Sequence, residues 1–122
     1  MYNDLLGIKF KPHGRSKEEG FDCYGLAIEV LAREGITLQD MYYDSLKQGE
    51  DRWNDFNSRL TKLDRPEKNC IVELLRKDGT NSHIAVYIGE GLIIHAILNI
   101  GVAIEPLRHY QDRIGGYYYV NR

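Results

Sequence analysis

Cysteine is scarce in this chain, long apolar runs are missing, and neither sign of charge dominates. The 122 residues include two cysteines in unlike contexts, which is no basis for a disulfide framework. No apolar run approaches the roughly 20 residues that span a bilayer. Met1-Tyr2-Asn3-Asp4 has neither the basic region nor the apolar stretch of a signal peptide, so the expectation is a chain made and kept in the cytoplasm. Sixteen Lys and Arg against 18 Asp and Glu, a formal net charge of -2 and a pI near 6.1 leave no nucleic-acid footprint. The basic cluster Lys9, Lys11, Arg15 and Lys17 is diluted by acidic neighbours and reads as solvated surface. Internal repeats and low-complexity segments are also lacking.

What is present suits one domain over residues 1–122, with 43 % hydrophobic and 28 % charged residues and length enough for a single core. Tyr2 to Leu6 reads as a helical turn, followed by a loop with Pro12, Gly14 and Gly20. A main helix is expected from Cys23 to Arg33, ending near Gly35, and a second from Asp51-Arg52-Trp53 to about Leu60. Pro66 closes that region. Strands are expected at 70–76, 83–88, 92–97, 101–105 and 116–120. Helices followed by a meander of short strands indicate an α+β fold, with the helix carrying Cys23 packed on a five-stranded antiparallel sheet.

Phe21-Asp22-Cys23-Tyr24-Gly25-Leu26 sets a cysteine at the start of that helix. Asp22 is a good N-cap, and Leu26, Ala27, Val30 and Leu31 follow with helical period. Phe21 and Leu26 suit a hydrophobic staple. Cys23 is then the first helical residue, beside the open backbone N–H groups and the positive end of the dipole. That position favours a thiolate, but Asp22 opposes it, so a nucleophile also needs a base. Cys70, within an apolar strand-like run, reads as an inert buried thiol.

The base is sought on a hairpin. Along Ser82-His83-Ile84-Ala85-Val86-Tyr87-Ile88, residues His83, Ala85 and Tyr87 face one side and Ile84, Val86 and Ile88 the other. Gly89-Glu90-Gly91 reads as a three-residue loop before Leu92-Ile93-Ile94-His95-Ala96. In that register Val86 faces Ile94, and His95 is a diagonal neighbour of His83, with backbones about 7–8 Å apart. A two-residue loop would turn His95 to the opposite face. Ala85 and Gly25 are both small, which suggests close packing of the helix over the histidine face. Cys23 attacking, His83 moving the proton and His95 orienting His83 is the chemistry this arrangement offers, with the Cys23 N–H donating to an oxyanion. The residues alone support a purely structural cysteine and histidine pair equally well. Zinc held by Cys23, Cys70, His83 and His95 is disfavoured, since no pair has C-x₂₋₄-C or H-x₃₋₅-H spacing. His13 and His109 read as solvent-exposed.

Three blocks resemble the NlpC-type (NlpC/p-sixty) papain-like cysteine peptidases, which cut bacterial cell wall: Asp22-Cys23-Tyr24-Gly25-Leu26, His83-Ile84-Ala85-Val86-Tyr87-Ile88-Gly89 and Ile94-His95-Ala96. The twelve-residue spacing of His83 and His95 fits as well. Leu6-Gly7-Ile8-Lys9-Phe10-Lys11-Pro12, Gly14-Arg15-Ser16, Met41-Tyr42-Tyr43-Asp44-Ser45 and Ile114-Gly115-Gly116-Tyr117-Tyr118 look like the branch carried by phage and prophage tails. The resemblance implies a Cys23, His83, His95 triad that hydrolyses an amide of the peptidoglycan stem peptide, typically after γ-D-glutamate. It implies substrate contacts from Asp22, Tyr24 and Phe10, and no metal or organic cofactor. Implied partners are the stem peptide and phage tail proteins, with no nucleic acid and no membrane; the implied location is the virion tail. The alternative is a tail assembly protein that keeps the fold without hydrolysis, and acyl transfer or deamidation would use the same triad.

Overall fold

The structure, a computed structural model, describes residues 2–40, 58–75 and 81–121. Two very short strands, β1 (Arg15–Ser16) and β2 (Gly20–Phe21), pair ahead of the single α-helix described, α1 (Cys23–Arg33). Six strands follow: β3 (Leu60–Leu63), β4 (Ile71–Leu75), β5 (Asn81–Gly89), β6 (Leu92–Ile97), β7 (Gly101–Pro106) and β8 (Ile114–Val120). A 3₁₀ segment, Leu107–Arg113, joins the last two. These six form one antiparallel sheet in the order β3-β8-β4-β5-β6-β7.

Both ends of α1 are determined locally. The Asp22 side chain accepts from the Gly25 N–H at 2.7 Å, satisfying one open donor of the first turn. At the other end Gly35 takes a left-handed φ of 75°, and the Ile36 N–H reaches back to the Leu31 carbonyl at 2.9 Å. That is a Schellman motif, and buried Ile36 supplies the hydrophobic contact that accompanies it.

The sheet has apolar side chains on both faces. On one, Leu26, Ala27, Val30 and Leu31 of α1 pack with Ile71, Ile84, Val86, Ile94 and Ala96. On the other, Cys70, Val72, Leu74, Ala85 and Ile93 are covered by Tyr87, Leu107, Tyr110, Ile114 and Tyr117. The free edge of β7 is closed by the N-terminal segment: the Gly7 N–H donates to the Val102 carbonyl and the Val102 N–H to that of Ile8, each at 2.9 Å. Covering an edge in this way removes a template for unwanted pairing.

The α+β class with a helix on an antiparallel sheet stands, but the sheet has six strands rather than five. The additional one, Leu60–Leu63, buries only Leu60 fully and lies at the sheet margin against β8. Four residues with so little burial carry no readable alternation. The expected second helix falls mostly on residues outside those described, and its expected end, Leu60, opens a strand instead.

The small residues also act elsewhere than expected. Ala85 belongs to the layer opposite α1, because strand alternation gives the helix Ile84 and Val86. Gly25 relieves contact with a loop and not with the sheet: a Cβ built there would overlap the Gly14 carbonyl.

Candidate functional site

Cys23 is the first residue of α1, half-buried and packed against the helix-side core. The turn that presents it is held by ion pairs. Asp22 Oδ1 takes both the Gly25 N–H and the Arg15 guanidinium, the latter at 2.8 Å, while Asp22 Oδ2 accepts from the His13 N–H at 3.2 Å. Arg15 also pairs with Asp40 at 2.9 Å and lies over the Tyr24 ring, 5.5 Å from its centre. Tyr24 is buried, and its hydroxyl donates to the Gln39 carbonyl. Phe10 is half-buried against the helix-side core and bridges to Phe21. These contacts lock the chain before and after the helix start into one unit.

α1 packs on β5 and β6, the strands that carry the histidines. The register leaves Val86 opposite Ile94 and Tyr87 opposite Ile93, as the sequence suggests, but by another route. The turn proper is Glu90-Gly91, both with left-handed φ (57° and 74°), and Gly89 pairs with Leu92. A bulge at Ile88 restores the register that a plain two-residue loop would have shifted. His83 and His95 therefore meet: His83 Nε2 lies 2.8 Å from His95 Nδ1, with ring centres 5.0 Å apart.

Beyond His95 lie two residues that sequence reasoning missed. Glu105 Oε2 is 3.3 Å from His95 Nε2, and the Tyr110 hydroxyl donates to that same oxygen. Tyr110 also meets the His95 ring edge-on, at 5.4 Å between centres. A signal for Glu105 was available. In β7, Ala103 sits opposite His95 and Glu105 opposite Ile93, so alternation alone puts the carboxylate on the histidine face, one diagonal away. Tyr110 follows in the 3₁₀ segment and had no such pattern. His13 and His109 are exposed, as expected.

Both imidazoles are held toward the neutral form. His95 is 2 % exposed. Burial pushes the His83 pKa down to about 3, with His95 and Arg113 adding in the same direction. Burial also lowers that of His95, and Glu105 opposes the shift. Tyr110 is pushed up to about 12 by burial and by its bond to Glu105, so its hydroxyl keeps its proton. Burial raises the Cys70 thiol pKa, in keeping with an inert role. Among the described residues no cluster of His, Cys, Asp and Glu has the arrangement of a metal site, and no helix is long and apolar enough to cross a membrane.

A helix bearing a cysteine at its start, packed on an antiparallel sheet bearing a histidine pair, defines a papain-like α+β protein. The chain belongs to the NlpC/P60 family, whose model matches residues 7–116. It is 30 % identical over 105 residues to the gamma-DL-glutamyl hydrolase of Bacillus subtilis (strain 168), covering 83 % of this chain and 23 % of that protein. It is 26 % identical over 108 residues to the murein DD-endopeptidase MepS/murein LD-carboxypeptidase of Escherichia coli (strain K12), covering 88 % and 52 %. The chain thus spans about half or less of these relatives. Among solved structures, an NlpC/P60 family protein from Bacillus cereus ATCC 10987 matches with a TM-score of 0.69 at 25 % identity, over 97 % of this chain and 36 % of that one. The NlpC/p60 domain of the peptidoglycan hydrolase SagA matches in fold, with a TM-score of 0.63 at 17 % identity over 98 % and 92 %.

Proposed function

We propose that this chain is a thiol hydrolase of peptidoglycan stem peptides, with Cys23 as nucleophile, His83 as base and His95 as the residue that orients it. The observation that carries the reading is the 2.8 Å contact between His83 Nε2 and His95 Nδ1 on β5 and β6, the strands whose opposite, Ile84/Val86 face packs against the Cys23 helix. That contact occupies one ring nitrogen of His83 and leaves Nδ1 for the thiol. In the first step His83 Nδ1 takes the Cys23 proton as sulfur attacks the carbonyl carbon of the amide. The C–N bond then breaks, the proton passes to the leaving amine, and an acyl-enzyme remains on sulfur. Water, deprotonated by His83, attacks the thioester and releases the acid and the thiol. The Cys23 backbone N–H at the helix start serves the developing oxyanion.

The finer reading is cleavage after γ-D-glutamate, with Phe10, Asp22 and Tyr24 forming the wall on the acyl side of Cys23. The B. subtilis relative, a gamma-DL-glutamyl hydrolase by name, supports a glutamyl bond; the E. coli relative is named for other bonds. Delivery by a phage or prophage tail belongs to the same proposal. It rests on the resemblance of residues 6–16 and 114–118 to tail-associated members, while residues 41–45 lie outside those described.

Digestion of purified walls of several chemotypes by the wild type and Cys23→Ala, with mass analysis of the released fragments, tests the hydrolase and identifies the bond. Release by the wild type alone is the expected result. No release from any wall, with Cys23 still open to alkylation, would overturn the hydrolase in favour of an assembly role. Detection of the chain in purified tail particles tests the location.

A further inference from the structure

The diagonal that joins His83 to His95 continues across one more strand, and the hydrogens along it can be counted. Glu105 on β7 offers only acceptors when ionised. Its Oε2 already receives the Tyr110 hydroxyl, and His95 Nε2 stands 3.3 Å away. That second contact is favourable only if Nε2 carries a hydrogen. A neutral imidazole has one N–H, so His95 Nδ1 must then be a bare lone pair. His83 Nε2, 2.8 Å from it, must donate. His83 Nδ1 is left without a hydrogen, which is the state a base needs.

We propose that Glu105, held by Tyr110, is a positioning residue that fixes the tautomers of both histidines and so keeps the His83 Nδ1 lone pair available to the Cys23 thiol. In its catalytic consequence this rests on the hydrolase reading above. Without the carboxylate, the described residues leave only the Tyr110 hydroxyl near His95 Nε2, and it donates or accepts equally well, so neither tautomer is imposed. The pair can then reverse, with His95 Nδ1 donating to His83 Nε2 and the hydrogen of His83 moving to Nδ1. In that arrangement His83 cannot accept the thiol proton. The sheet accommodates the row sterically: Ala103 stands opposite His95 on one side, and the β5–β6 register puts Ala85 beside it on the other.

The test is two-bond ¹H–¹⁵N correlation on histidine-labelled protein at pH 7.5, together with steady-state kinetics. Wild type is expected to show His95 and His83 both as Nε2–H tautomers. In Glu105→Ala, Nδ1–H forms should appear in both rings, and kcat should fall roughly ten- to a hundred-fold, by analogy with the loss when the outer partner of a metal-bound histidine is removed. KM should hold. Tyr110→Phe keeps the ring against His95 and should show a smaller shift in the same direction. An Nδ1–H tautomer of His95 in the wild type overturns the proposal, even if Glu105→Ala fails to fold. So does a folded Glu105→Ala with unchanged tautomers. The two readings fail separately: wrong tautomers in an active enzyme overturn only the relay, while the expected tautomers in a chain that hydrolyses no wall overturn only the hydrolase.

Discussion

Asp22 does several jobs at once, and two substitutions separate them. Its Oδ1 caps α1 through the Gly25 N–H at 2.7 Å and pairs with Arg15 at 2.8 Å. Asp22→Ala removes both. Loss of an N-cap costs about 1 kcal/mol, and a hydrogen bond to a charged group contributes about 1.5–3 kcal/mol. Arg15 keeps Asp40 at 2.9 Å, and the Arg15 and Asp22 side chains are 22 % and 13 % exposed, so the lower end of that range applies. The sum is roughly 2–3 kcal/mol, or a Tm lower by about 10 °C for a chain of this length. Asp22→Asn keeps a capping oxygen of equal quality and loses only the charge, so its cost should be about 1 kcal/mol and roughly 4 °C. Thermal and urea melts of the two variants measure this directly. Equal losses for Ala and Asn would refute the capping argument and leave the ion pair as the whole effect. Turnover adds a second axis: a raised KM in Asp22→Asn, at nearly wild-type stability, would put the carboxylate against substrate. An unchanged KM would restrict it to building the helix start.

Three other outcomes follow from the packing and the charges. Gly25→Ala should destabilise by roughly 1–3 kcal/mol despite alanine's better helix propensity, because the new methyl meets the backbone carbonyl of Gly14 rather than a side chain that can swing away; a urea titration decides it. Iodoacetamide with mass mapping should modify Cys23 in the folded protein and Cys70 only after unfolding, since Cys70 is 2 % exposed and its thiol pKa is raised by burial. Stability should fall as pH drops from about 6.5 toward about 3. In that window the unfolded chain binds a proton at His83 and the native protein does not, so unfolding takes up protons and gains from acid. His83→Gln should flatten that dependence in melts at pH 7 and pH 5, and an unchanged slope would remove His83 as its source.

The helix with Cys23 at its start and the histidine strands were legible because each depends on local pattern. Asp22, the apolar period after Cys23 and the glycine at 35 determine the helix and both its ends. The alternation around His83 and His95 gives their faces. What escaped was relational. β3 exists only because β8 offers it an edge, and its four residues bury too little to announce a strand. Glu105 looks like an ordinary polar end of a strand until the β6–β7 register sets it beside His95. The role of Gly25 was misplaced for the same reason: small size is visible in sequence, but the neighbour it makes room for is not. Both faces of β5 carry apolar residues, so sequence could not say which one the helix would take. The answer was the Ile84/Val86 side, leaving the histidine row to Glu105 and Tyr110.

The Ile88 bulge makes the sharpest test of how the histidine row is aligned. Glu90 and Gly91 both take left-handed φ, as the tight two-residue hairpin turn requires. With a regular ladder below that turn, Ile88 would face Ile93 and Val86 would face His95, and the two histidines would lie on opposite faces. The observed pairs are Gly89 with Leu92 and Tyr87 with Ile93, so one residue, Ile88, is looped out of the count. Deleting Ile88 should therefore be mild. Tyr87 and Gly89 become neighbours, their pairs become consecutive, and everything upstream keeps its register. The cost is the contact of one half-buried isoleucine with the helix-side core, roughly 1 kcal/mol. Histidine tautomers and turnover should match the wild type, because His83 Nε2 still finds His95 Nδ1. A folded deletion variant in which that hydrogen bond is lost would show that the bulge aligns the row by bending the strand, and that counting residues from the turn is the wrong account of the register.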